Sequence, residues 1–110
     1  MSLITLAEAK NYLRVDITDD DALITSLLQS ATTGCVSVAR LTQEQWEAID
    51  SDVQESDLFT DFTLDDARRL MKPAILFTLS YFYEHRTDGD HSALNRTLRA
   101  MLFSLRESVV

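Results

Sequence analysis

The chain has 110 residues and a formal net charge of −8, with 45% hydrophobic and 25% charged residues. A chain of this length is expected to fold as one domain, residues 1–110, with a modest core. Two glycines and one proline are few for a β-rich fold, and the charge excludes a basic surface that wraps nucleic acid, so the composition favours a helical protein of another class.

Capping signals mark the first two helices. Thr5-Leu6-Ala7-Glu8 matches a capping box and predicts a short helix that ends near Arg14. Three aspartates, 19–21, then stand where a second, longer helix is predicted to begin, since negative charge is favourable at a helix N-terminus. That helix is expected to reach about Ala39. Its broad apolar stripe contains small residues at positions 30, 31 and 34, which predict the close approach of another helix; the stripe comprises Ala22, Leu23, Leu27, Ser30, Ala31 and Gly34, with Ile24, Leu28 and Cys35 beside it.

A second capping box opens a short third helix. Thr42-Gln43-Glu44-Gln45 predicts a helix to about Ile49, with Trp46 and Ile49 directed inward. Residues 50–62 have no helical period and are rich in acids, so they predict a long acidic loop in which a short hairpin is possible. A structureless loop of this length is usually functional or ordered by a partner.

A long helix is predicted from Leu64 to about His85, capped by Thr63. Pro73 falls inside it and predicts a kink, or a break and restart. Residues 74–83 are apolar on every side, and a small domain has little interior in which to bury such a helix, so self-association is expected. Asp65 is expected to form surface pairs with Arg68 and Arg69.

The last helix is predicted to begin at Asp90 or Ser92 and to end near Arg106. One apolar stripe should face the core, and three arginines, Arg96, Arg99 and Arg106, lie off it; the stripe comprises Leu94, Leu98, Met101, Leu102 and Leu105. The predicted fold class is therefore all-α, a small bundle of four to five helices with the acidic loop between the second and third long helices.

The charges are segregated along the chain. Residues 1–40 carry three bases and five acids, residues 41–67 carry nine acids and no base, and residues 68–110 carry seven bases and four acids. Regions of opposite charge could meet across a boundary between subunits. An equal alternative is that both regions are solvated faces that never contact each other. The longest dense apolar stretch, 73–83, is shorter than a membrane span of about 20 residues, so a soluble, unprocessed chain without a membrane partner is expected.

No motif selects an enzyme. A calcium loop that started at Asp16 would require Gly at its sixth position and Glu at its twelfth, where this chain has Asp21 and Leu27. No nucleophile motif or glycine-rich phosphate loop is present, and the single Cys35 is expected to pack as a small apolar side chain. We therefore predict no catalytic residue, no metal ligand and no cofactor. A weaker alternative is a small metal-dependent enzyme that uses a set of candidate ligands, His85, Asp88, Asp90 and His91.

Two stretches carry a resemblance to a known family. Residues 4–16, ITLAEAKNYLRVD, are followed by DDALI at 20–24, and PAIL at 73–76 leads to YEHR at 83–86. In this order and spacing they resemble the head-tail connector (adaptor) proteins of tailed bacteriophages and prophages. Two features differ from that family. Ala39-Arg40 stands where Gly-Arg often follows the second helix in that family. The region of residues 41–72 is also longer and more acidic than expected for the family.

The resemblance implies a structural subunit. It would form a homo-oligomeric ring, dodecameric in the particle, beneath the portal protein. The ring would continue the DNA channel, through which DNA passes without sequence-specific binding, and would offer a platform for the next neck or tail-completion protein. The implied location is the virion neck, after assembly in the host bacterial cytoplasm.

We expect two regions to contact a neighbouring subunit or the portal. The first is the end of the long apolar helix, and the second is the acidic loop; the candidate residues are Tyr81, Tyr83, Glu84 and Arg86, with Asp50, Asp52, Glu55, Asp57 and Asp61. For the two tyrosines, packing within their own subunit is an equal alternative. An alternative for the whole chain is an acidic protein-binding module or DNA mimic.

Overall fold

The computed structural model describes residues 3–51, 63–85, 92–103 and 105. Over these residues the chain forms five α-helices and no strand, which confirms the all-α prediction; the helices are α1 (Leu6–Leu13), α2 (Asp21–Ala39), α3 (Gln43–Ile49), α4 (Leu64–Glu84) and α5 (Ser92–Met101). Most of the predicted acidic loop and its possible hairpin, residues 52–62, lies outside the described residues.

Threonine caps begin three of the helices, as the sequence predicts. Thr5 and Thr42 accept main-chain hydrogen bonds in complete capping boxes, and Thr63 Oγ1 accepts from the amide of Asp66 at 3.1 Å. At their C-terminal ends α1 and α2 stop at Arg14 and Arg40, which adopt the left-handed conformation with φ of 60° and 59°. Local chemistry therefore sets these boundaries.

The packing of α2 against α4 forms the centre of the core. Ile24, Ala31 and Cys35 of α2 are fully buried, and so are Met71 and Leu79 of α4. The predicted stripe on α2 was wrong in part, because Ala22 and Ser30 are exposed. The predicted close approach was also wrong at Gly34, since no atom would lie within 4 Å of a Cβ added there.

Two ion pairs hold α1 against this central pair of helices. Lys10 Nζ lies 2.8 Å from Asp21 Oδ1 at the start of α2, and Lys72 of α4 pairs with Glu8. The helix α4 continues through Pro73, so the predicted break does not occur. Pro73 is exposed, and solvent can satisfy the carbonyl group that loses its helical partner.

Arg68 joins α3 to α4, a role that the predicted surface pairing did not include. Its guanidinium donates to the carbonyl oxygens of Ala48, Ile49 and Ser51 at 2.8–3.1 Å, and it also lies 3.4 Å from Asp65. The predicted pair between Asp65 and Arg69 is not formed. Arg69 lies 3.6 Å from Asp66 instead. Arg68 and Arg69 therefore each lie near the acid three residues before them.

The helix α5 packs through the predicted leucine stripe. Leu94, Leu98, Leu102 and Leu105 are buried, and Met101 is half-buried. Two of the predicted outer arginines, Arg96 and Arg99, are exposed.

The helix α2 is long and apolar enough to cross a membrane by length and composition alone, with 19 residues and a mean hydropathy of 1.3. Polar side chains interrupt this stretch, so the sequence did not indicate it as a candidate span. In the fold 22% of this apolar window is buried, and the α2 residues that contribute to the core are Ile24, Ala31, Cys35 and Ala39.

Candidate functional site

The last turn of α4 carries a group of aromatic side chains. The rings of Tyr81 and His85 are stacked, with centroids 4.3 Å apart, and Phe82 meets Tyr81 edge to face. The Nδ1 atom of His85 lies 3.0 Å from the carbonyl oxygen of Tyr81. These contacts fix His85 as the end of the helix.

Tyr83 connects the end of α4 to the start of α2. Its hydroxyl donates to Asp20 Oδ2 at 2.7 Å, across 63 positions of the sequence. Asp20 is the N-cap of α2 but makes no side-chain capping bond. Together with the pair between Asp21 and Lys10, this bond shows that Asp20 and Asp21 connect α2 to other helices.

The structure places the predicted interface residues on two separate elements. Tyr81 and Tyr83 are half-buried and Glu84 is exposed at the end of α4, whereas Asp50 ends α3 and accepts a 2.7 Å bond from the amide of Leu3. The remaining predicted residues, Arg86, Asp52, Glu55, Asp57 and Asp61, lie outside the described residues, as do three of the four candidate metal ligands, Asp88, Asp90 and His91. Among the residues that are described, no three His, Cys, Asp or Glu side chains form a group able to hold a metal ion.

Among the described residues, four large apolar side chains are exposed to solvent. Tyr12 is 47% exposed, Ile17 57%, Phe77 36% and Phe103 59%. Phe77 belongs to the apolar stretch that was expected to be buried all round, and a single chain does not bury it. The other three were not predicted from the sequence, although helical spacing places Phe103 off the leucine stripe and so indicates its exposure.

A broad groove of about 550 Å³ lies between α1 and α4. Leu3, Tyr12, Pro73 and Leu76 supply its apolar surface, and its three cations are Arg68, Arg69 and Lys72. All three cations are already paired with acids of the same chain. The groove is therefore apolar in character with its charge largely compensated.

A second groove of about 400 Å³ lies between α2 and α5. It is lined by Gly34, Ser37, Val38, Arg40, Asn95 and Arg99. Neither arginine forms an ion pair with any residue that the structure describes. This groove is therefore cationic.

Within the described part of the chain, two titratable side chains have shifted pKa values. The hydrogen bond from Lys72 is the main cause that lowers the pKa of the Glu8 carboxyl. Burial raises the pKa of the Cys35 thiol to about 11, against a weaker opposing hydrogen bond to Thr78, whose Oγ1 lies 3.4 Å away. A neutral, buried thiol is a packing group rather than a nucleophile.

Comparison with known proteins identifies one family. Residues 3–56 match the family model described as Phage gp6-like head-tail connector protein. This match includes α1, α2 and α3. No curated protein and no solved structure matches the chain.

Proposed function

The chain belongs, through residues 3–56, to the phage gp6-like head-tail connector family, and from this premise we propose that it assembles into a ring in the virion neck. The family is structural and non-enzymatic, which agrees with the sequence prediction that the chain is not an enzyme. It also implies a location in the neck of the virion.

The proposed ring is a dodecamer that lies beneath the portal protein. It continues the channel through which DNA passes without sequence-specific binding, and its other face receives the next neck or tail-completion protein. Each subunit contributes residues 1–110 as one domain, and the ring assembles in the host bacterial cytoplasm.

The incomplete burial of α4 carries the ring proposal. Its outer face leaves Phe77 36% exposed and Leu76 and Phe82 only half-buried, although Ile75 and Leu79 are fully buried on the other side. A subunit that keeps large apolar side chains in water is stabilised when a neighbour covers them. Tyr12, Ile17 and Phe103 add exposed apolar surface on other elements.

We propose that the interface includes the end of α4 and the acidic region that follows α3. Tyr81, Tyr83, Glu84 and Arg86 supply the first surface, and a cluster of acids supplies the second; these are Asp50, Asp52, Glu55, Asp57 and Asp61. The bond from Tyr83 to Asp20 supports a rigid role for this tyrosine, in which its ring presents a fixed edge to a neighbour.

The internal pairing of acids argues against the alternative of an acidic DNA mimic. A mimic must present free carboxylates on one continuous face, but Glu8, Asp21 and Asp65 form ion pairs within the chain. Asp20 and Asp50 accept hydrogen bonds from Tyr83 and the amide of Leu3. These five acids therefore contribute to the fold.

The oligomeric state tests the proposal. Sedimentation and native mass spectrometry at raised protein concentration, with and without the portal protein, should reveal a closed ring in at least one condition, and negative-stain microscopy should show its channel. Monomers that persist in both conditions would contradict the proposed ring.

A substitution on the outer face of α4 tests whether its exposed apolar surface drives assembly. Phe77→Ser should reduce assembly because it removes exposed apolar surface, while the fold is kept. Thr25→Ser, an exposed position on α2, serves as the control and should assemble as the unaltered chain does.

A further inference from the structure

The cationic groove between α2 and α5 has room for a chain segment. Gly34 leaves open space in its floor, since a Cβ added there would meet no atom within 4 Å. Arg40 and Arg99 line the groove, and none of the described residues that line it with them is an acid. An exposed pair of guanidinium groups beside an open floor suits carboxylate side chains, which such groups bind with two hydrogen bonds each.

Helical spacing places an exposed apolar side chain beside the groove. Asn95, Arg99 and Phe103 follow one another at intervals of four residues and so share one side of the C-terminal helical segment. Phe103 is 59% exposed, and Val38 is half-buried on the α2 side. A ligand that fits this surface carries acids together with apolar side chains.

The chain itself contains a segment of this composition. Residues 51–62, SDVQESDLFTDF, hold four acids, no base and four large apolar residues. We infer that the groove between α2 and α5 binds residues 51–62 of a second copy of the chain. This inference rests on the proposed ring and identifies the surface through which neighbouring subunits meet.

The geometry favours a second copy over the same chain. Thr32 of α2 lines a cavity together with Trp46 of α3, whereas Gly34 lines the cationic groove, so α3 and the groove lie on different flanks of α2. The segment leaves from the α3 side, where the carbonyl of Ser51 is bonded to Arg68 at 2.8 Å. A donor site and an acceptor site on different flanks make a head-to-tail contact, the type that closes into rings.

A peptide of residues 51–62 tests the groove directly. Titrated into the intact chain by calorimetry, it should bind, and added salt should weaken the binding because the contact is between charges near the surface. The double variant R40E/R99E should weaken binding by about tenfold or more, since like charges then face each other.

The double variant R14E/R96E is the matched control. Arg14 ends α1 in the same left-handed conformation as Arg40, and Arg96 is exposed on the same helix as Arg99, so the two variants change charge equally. The control should keep its affinity for the peptide. Equal losses in both variants, or no binding by the unaltered chain, would overturn the inference.

Charge exchange separates contact between copies from contact within one chain. The variants R40E/R99E and D52K/D57K should each assemble poorly, and their mixture should regain assembly because each supplies the partner that the other lacks. If mixing restores nothing while one chain that carries all four changes recovers full stability, the segment binds its own groove and the inference is wrong.

The outcomes also distinguish the groove from the ring. Unaltered chain that binds the peptide but forms no ring, with or without the portal, counts against the proposed function alone. Rings formed equally well by R40E/R99E count against the groove alone. Loss of binding to a short DNA duplex in R40E/R99E, with no peptide binding by the unaltered chain, would assign the groove to phosphates and overturn the inference.

Discussion

At the scale of single residues, Arg68 donates to carbonyl groups at the end of α3 that water usually satisfies at a helix end. In doing so it also joins α3 to α4. The last carbonyl groups of α3 have no partner within their own helix, and the guanidinium of Arg68 donates to three carbonyls at this end, those of Ala48, Ile49 and Ser51. The same side chain belongs to α4. Its position therefore fixes where α3 ends and where the acidic segment begins.

Removal of Arg68 should be costly. Arg68→Ala leaves three partly buried carbonyl groups without their charged donor, and we expect a loss of about 2 kcal/mol or more in the free energy of unfolding. Urea denaturation measures it. Arg69→Ala is the control, because Arg69 is exposed and its pair with Asp66 should contribute about 0–1 kcal/mol. Similar losses for the two variants would contradict the role of Arg68.

Glu8 makes the free energy of unfolding depend on pH. Its pKa is lowered in the folded chain, so its ionised form stabilises the fold above its ordinary pKa, and this contribution is lost as pH falls through the lowered value. Glu8→Gln keeps the capping box but removes the charge. The difference in unfolding free energy between the two chains should shrink as pH falls below about 4.5, and a difference independent of pH would exclude the pair with Lys72 as its cause.

At the scale of helices, Gly34 is a replaceable residue inside α2. A glycine in a helix interior costs about 1 kcal/mol relative to alanine, and nothing obstructs a methyl group here. Gly34→Ala should therefore raise the free energy of unfolding by about 1 kcal/mol. Thermal and urea denaturation measure the gain, and a loss of stability would show that the floor of the groove is tighter than the structure indicates.

The sequence predicted helices well where their signals are local. Thr5 and Thr42 define helix starts with residues three positions away, and the leucine spacing of α5 identifies its buried side. Contacts across the chain could not be predicted in this way. Nothing near Tyr83 indicates a partner 63 positions away, and nothing near Arg68 indicates that it binds the end of another helix.

The candidate site was less predictable than the fold. The negative charge of residues 41–67 and the positive charge of residues 68–110 suggested an interface, but charge counts do not show which side of a helix a residue occupies. Arg40 and Arg99 are 59 positions apart, and only the packing of α5 beside α2 brings them to one groove. The resemblance to the connector family likewise implied a structural role but did not indicate the groove between α2 and α5.

At the scale of the whole molecule, the first three helices depend on α4. The buried side chains Ile24, Ala31 and Cys35 of α2 form one core with Ile75 and Leu79 of α4. A chain truncated to residues 1–56, the part that matches the family model, should therefore lack a cooperative fold. Circular dichroism during urea denaturation tests it, with the full chain as control, and a sigmoidal transition in the fragment would contradict the dependence.

The same dependence has a consequence for synthesis. Tyr83, which bonds to Asp20, follows it by 63 residues, so α2 leaves the ribosome well before the helix that covers it is complete. During that interval the nascent chain exposes an apolar helix to solvent and to other nascent chains. Slow translation between α3 and α4 should therefore lengthen the period in which chaperones bind, and the yield of folded chain should depend on the pace of synthesis as well as on the stability of the finished fold.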